Sequence, residues 1–173
     1  MRSVTHSVVV CTSTHHGEPR AMTMSSFTSL TLTPTPLVTF NVATPSRTLD
    51  AIAWSGEFNV HILAGDARGM ALADILARGN TDGGMAMPLE MEEGGTGPPL
   101  LRQDGVLYVL RCRLAHEAAS KGLVKVRDHM IVIGEVMELI PMESEGGEGE
   151  FGLVYADREY RSVGDVIPRG GAR

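Results

Sequence analysis

Three short stretches of this chain carry residues whose types and spacing can do chemistry. Ser46-Arg47-Thr48 joins two hydroxyls and a guanidinium directly after Pro45. With Leu49, Ile52 and Ala53 following on one helical face, Ser46 is the expected N-cap of a helix. The first turn of a helix leaves N–H groups without intrahelical partners, so this stretch suits an anion such as a phosphate. It also suits an ordinary capped helix with a solvated arginine. The second stretch, Thr23-Met24-Ser25-Ser26, lies in a hydroxyl-rich turn between extended runs. Its side chains, Met24 apart, are small enough to let a flat polar ligand reach backbone N–H and C=O groups. Read without its flanks, the same stretch is a solvent-facing strand. The third is Asp128-His129 at the mouth of an apolar run. An imidazole there can orient a bound group or stabilise charge on it, and it can equally form a weak surface pair with its neighbour.

Other chemistries are poorly supported. His15 and His16 precede Gly17 in a turn, but no Cys or Glu stands at ligand spacing to complete a metal site, which normally needs at least three protein ligands. There is no Walker loop, no GxGxxG opening a helix after a strand, and no nucleophilic triad order. Cys11 and Cys112 sit in apolar, strand-like contexts and read as inert core thiols. A formal charge of −6 and a pI near 5.5 argue against a nucleic-acid partner. No apolar run approaches the roughly 18 to 20 residues of a membrane span, and the start of the chain lacks a basic segment followed by an apolar one. A soluble, intracellular protein is the expectation.

These residues must be positioned by one domain spanning residues 1–173, a length that buries a core without disulfide or metal support. Residues 5–12 and 30–42 are rich in β-branched side chains and read as strands, bounded by turn clusters at residues 15–19 and 33–36. A helix starts at Ser46, residues 57–63 alternate as a strand, and residues 68–77 return to helical spacing. The strongest later strands are residues 106–114 and 129–140. Residues 79–99, rich in Gly, Met and Pro, and residues 143–150, with four Glu and three Gly, read as loops. Strands without regular intervening helices favour a mainly β architecture over a parallel α/β one.

The run Met22-Thr23-Met24-Ser25-Ser26-Phe27-Thr28-Ser29-Leu30-Thr31-Leu32, continuing into Pro36-Leu37-Val38-Thr39-Phe40-Asn41, resembles the signature turn and strand of the flavin reductase-like family. Asp128-His129-Met130-Ile131-Val132-Ile133-Gly134-Glu135-Val136 is similar to that family's "GDH-x-I-x-IG-x-V" strand, and Leu153-Val154-Tyr155 to its closing motif. The resemblance covers nearly the whole chain. It implies a six-stranded Greek-key split β-barrel with flanking short helices, paired as a homodimer whose interface completes two FMN sites. On that basis Thr23, Met24, Ser25, Ser26 and Asn41 face the flavin ring, Ser46, Arg47 and Thr48 hold its phosphate, and His129 lies near the flavin and an incoming nicotinamide. Tyr155 and Arg158 end the resemblance beside the cleft or the partner subunit.

The activity so implied is hydride transfer from NAD(P)H, a transient cosubstrate, to FMN or FAD, with reduced flavin retained or passed to a partner oxygenase. A second reading is a non-catalytic or electron-transfer FMN protein that receives electrons from another protein, and a third is a barrel that has lost flavin and serves as a binding scaffold. Three departures from the pattern bear on the choice: Ala21 and Arg127 stand where glycine is usual, and Met24 where a smaller residue is typical. The usual segment ahead of the first strand is reduced to Met1-Arg2-Ser3-Val4-Thr5-His6-Ser7, as in a truncated form or a fragment.

Overall fold

A computed structural model describes residues 3–77, 89–91, 97–117, 120–142 and 151–168. The chain runs β1 (His6–Ser7), β2 (Val9–His15), β3 (Glu18–Met24), β4 (Thr28–Thr31), β5 (Leu37–Ala43), α1 (Arg47–Ser55), β6 (Glu57–Leu63), α2 (Ala67–Ala77), β7 (Val106–Leu114), β8 (Leu123–Val126), β9 (His129–Pro141), β10 (Val154–Ala156) and β11 (Glu159–Arg161). The protein is mainly β. Its principal sheet has the order β3-β2-β6-β7-β9-β5-β4, with β8 added against β9, and every pairing is antiparallel. That makes eight strands where six were expected. The ladder does not close by hydrogen bonding, so β3 and β4 are the ends of its main path, with β8 a further edge beside β9. The expected strand at 30–42 divides into β4 and β5 because Pro34 and Pro36, having no N–H, cannot sustain the ladder. A small sheet, β1-β10-β11, stands apart.

The central strand β2 explains how two cores form. Val9 and Cys11 point into a core that also holds Phe40, Phe58, Leu49, Ile52, Cys112 and Val132. Val8, just ahead of the strand, and Val10 point the opposite way, into a core with Leu63, Leu72, Leu76, Leu100 and Val109. A strand covered on both faces shows a continuous buried run instead of alternation, which is why Val9 through Thr14 are all buried. Helix α1 closes the first core and α2 the second. In the first, the Phe40 and Phe58 rings meet edge to face at 5.5 Å, and each buried phenyl group stabilises by about 1.5–3 kcal/mol. Both thiols are buried, and desolvation pushes Cys112 up to about 12 and Cys11 higher still, which agrees with an inert role.

Helix α1 begins as its sequence suggests. The backbone of Ser46 is extended and its Oγ accepts from the Leu49 N–H at 3.2 Å. The helix stops at Gly56, whose φ of 74° is a left-handed C-cap.

On the second core, four buried polar side chains of β2 and β6 hold the segment 97–101. Thr12 Oγ1 donates to Pro99 O (2.6 Å), Thr14 Oγ1 to Gly97 O (2.7 Å), and Asn59 Nδ2 to Pro98 O (2.9 Å). His61 Nε2 accepts from the Leu101 N–H at 3.0 Å while Nδ1 faces Val10 O at 3.3 Å. Those two contacts require the neutral tautomer with the proton on Nδ1. Of the expected loop at 79–99, Glu90 pairs with Leu100 in both directions at 2.8 Å, and residues 78–88 and 92–96 lie outside the described residues. The expected loop at 143–150 also lies outside them. Among the described residues, no helix is long and apolar enough to cross a membrane.

Candidate functional site

The free edge of β3, the start of α1, the end of β5 and the β8–β9 hairpin are tied together by three side-chain contacts. Thr48 Oγ1 donates to Ala21 O at 3.3 Å, joining α1 to β3. Ser26 Oγ accepts from the Asn41 N–H at 2.9 Å and donates to Asn41 O at 3.1 Å, joining the end of β3 to β5. Thr44 donates twice to Asp128 O, from its N–H at 2.8 Å and from Oγ1 at 3.0 Å, joining the end of β5 to the β8–β9 hairpin.

The Thr48 contact also fixes which backbone groups are available. It shows that Ala21 O points away from β2. In an antiparallel ladder alternate residues direct their N–H and C=O to the same side, so those of Thr23 face the free edge of β3 and those of Met24 face β2. The Thr23 hydroxyl is turned elsewhere, donating to Ala73 O of α2 at 2.7 Å. The Met24 side chain is buried in the first core. Ser25 is exposed. The strand therefore offers backbone at Thr23 and an open rim at Ser25, with Met24 as an anchor beneath.

At the start of α1, the donor set is likewise narrower than the sequence suggests. The Thr48 hydroxyl is spent on Ala21, so Thr48 contributes its N–H alone. The first-turn N–H groups of Arg47 and Thr48, the Ser46 O–H and the Arg47 guanidinium form the donor set, which matches a phosphate. Opposite, β5 and β9 place Asn41 across from Ile131 and Ala43 across from His129, so Asn41 and His129 are diagonal neighbours on one face. His129 Nδ1 lies 3.0 Å from Asp128 Oδ1, and this hydrogen bond holds the Asp128 carboxyl below its usual range. The imidazole is half exposed, with Nε2 left for a ligand. Among the described residues, no group of three or more His, Cys, Asp or Glu side chains could hold a metal ion.

Sequence reasoning did not find Thr44, whose only signal is its position beside Pro45. Nor did it find the Asn59–His61 pair, although two polar residues at a period of two inside the apolar run Phe58–Leu63 mark one face of a strand as special. Tyr155 packs edge to face on Tyr160 at 5.4 Å, next to Thr23 and Met24 in a pocket of about 290 Å³.

The comparisons with known proteins fall on this geometry. Residues 1–164 match the flavin reductase like domain. The chain belongs to that family. It is 33% identical over 136 residues to the FMN reductase (NADH) SmoA of Agrobacterium fabrum, covering 77% of this chain and 68% of that one. It is 35% identical over 145 residues to the flavin reductase (NADPH) of Lentzea aerocolonigenes, covering 83% and 74%. Among solved structures it is similar to BorF, the flavin reductase component of a bacterial two-component tryptophan halogenase, with a TM-score of 0.70 and 26% identity over 95% of this chain and 94% of that one.

Proposed function

We propose that this protein is an NAD(P)H-dependent flavin reductase that binds FMN, or FAD, in the region bounded by β3, the start of α1 and the β8–β9 hairpin. The observation that carries the reading is the convergence of a phosphate-type donor set, a free strand edge and a braced imidazole, in a member of the flavin reductase like family. When bound, the flavin supplies the hydride acceptor. The chain's own work is to bind and orient. Ser46, Arg47 and Thr48 receive the phosphate, Thr23 and Ser25 present backbone to the edge of the ring system, and Asn41, locked by Ser26, borders it. His129, fixed by Asp128, orients the nicotinamide carboxamide through Nε2. Hydride transfer needs no general base, so positioning is the chief contribution of these groups.

A homodimer and a separate acceptor for reduced flavin belong to the same reading. Val126, 49% exposed and directly across from His129, and Val124 leave an apolar surface beside the site that a second copy would cover. The likeness to a reductase component of a two-component halogenase supports a separate protein, such as an oxygenase, as the acceptor of reduced flavin. The test is to mix the protein with FMN and NADH or NADPH and follow the nicotinamide absorbance band. Oxidation in excess of the uncatalysed rate is expected. Tight FMN binding without nicotinamide oxidation would instead identify a protein that receives electrons from another protein, and no flavin binding would leave a scaffold.

A further inference from the structure

Arg127 occupies the tip of the β8–β9 hairpin, one residue beyond the Val126–His129 pair that closes it. Its φ of 54° is left-handed, a conformation that costs a non-glycine residue free energy and that the surrounding structure must hold in place. The brace is visible: Thr44 grips Asp128 O by two hydrogen bonds, so the tip is fixed against the end of β5. The one carboxylate at the tip, Asp128, is turned to His129. Among the described residues, the Arg127 side chain meets no carboxylate. In a chain of net charge −6, a strained position thus presents a guanidinium two residues from the imidazole that orients the nicotinamide.

Dinucleotide sites distinguish their cosubstrates by the same two chemistries. A carboxylate accepts from the ribose 2′-OH of NADH, whereas an arginine receives the 2′-phosphate of NADPH. Here the carboxylate is committed to His129 and the arginine is not committed to an acid. We propose that Arg127 selects NADPH over NADH by pairing with the 2′-phosphate of a cosubstrate folded back so that its adenosine ribose lies beside its nicotinamide. This rests on the reductase reading above and adds to it the choice of cosubstrate.

The experiment compares kcat/KM for NADPH and NADH, with FMN in excess, in the protein and in Arg127→Gly and Arg127→Lys. Glycine accepts the left-handed φ without strain, so the first substitution leaves the hairpin folded. The protein should favour NADPH, and Arg127→Gly should lower the NADPH-to-NADH ratio by about 10- to 100-fold, through KM, with Arg127→Lys retaining part of the preference. Calorimetric titration with 2′,5′-ADP against 5′-AMP gives a readout without turnover, in which the same substitution should abolish the difference. An unchanged ratio overturns the proposal. So does an equal loss for both cosubstrates, which would make Arg127 a contact of the shared pyrophosphate. If neither nicotinamide is oxidised, the reductase reading itself falls and the selectivity falls with it; if both are oxidised at a ratio that Arg127→Gly does not move, only the selectivity is lost.

Discussion

Ser26 Oγ both accepts from and donates to the backbone of Asn41, at 2.9 Å and 3.1 Å. Strand β4 pairs with β5 only as far as Thr28 and Thr39, so beyond that point the edge of β5 has no neighbouring strand and one hydroxyl serves in its place. Ser26→Ala leaves one donor and one acceptor of the edge to water alone. A loss of about 0.5–1.5 kcal/mol is expected in urea unfolding, because the edge is exposed. Flavin affinity should fall with it, since Asn41 is then free to move.

Arg47→Ala should weaken FMN binding by about 1.5–3 kcal/mol, the scale of a charge-assisted hydrogen bond. Flavin fluorescence titration measures it. Ser46→Ala removes both the helix cap and a phosphate donor, so it should reduce stability as well as affinity.

His129→Ala should reduce kcat/KM for the nicotinamide about tenfold, equivalent to about 1.4 kcal/mol of barrier, and leave the FMN dissociation constant almost unchanged. Stopped-flow reduction of protein-bound flavin separates the two. A variant that loses FMN yet turns over normally in excess flavin would contradict the assigned role.

His61 makes stability depend on pH. Burial lowers its pKa from 6.5 to about 4 in the folded protein, since a charged imidazole would lie among apolar groups and would lose the Leu101 N–H. Between those values the unfolded chain binds a proton that the folded one does not, so stability rises with pH. The contribution is complete above 6.5 and is lost as the pH falls toward 4, amounting to about 3 kcal/mol. Urea unfolding between pH 4.5 and 7.5 should show this slope, and His61→Gln should flatten it.

Gly134 lies under the Phe58 ring, where an added Cβ would collide with Cζ and stand 2.9 Å from Cε1. Gly134→Ala should cost about 1–3 kcal/mol in thermal or chemical unfolding, and Gly134→Ala with Phe58→Leu should recover part of it. The glycine of the His129–Val136 motif thus has a packing role beneath a site whose chemistry is on the other face.

The strongly patterned elements were legible in the sequence. Strands β6 and β7, with their Val, Ile and Leu content, and α1, with its serine cap and apolar stripe, occupy the residues that periodicity indicates. Strand β3 was not legible, because Glu18 and Pro19 fall in the turn cluster at residues 15–19 and only the neighbouring β2 makes the segment a strand. Strand β8 is four residues long and exists by pairing with β9. At the site, the start of α1 and the Asp128–His129 pair were readable from residue type. The directions of the Thr23 and Thr48 hydroxyls were not, since each is decided by a carbonyl 50 or 27 residues away in the chain.

Pro98 and Pro99 have a consequence for how this chain can change. They accept hydrogen bonds from Asn59 and Thr12 but have no N–H to return, so the segment cannot enter the sheet as a further strand. Its attachment ends at side chains, and the backbone register of β6 with β7 is set without it. The described residues 97–101 are therefore held by side chains of β2 and β6, and by the Glu90–Leu100 pair, instead of by the ladder. Substitutions of Thr12, Thr14, Asn59 or His61 would thus loosen residues 97–101 while every rung between β6 and β7 stays in place, which makes this segment a separable cover on the sheet.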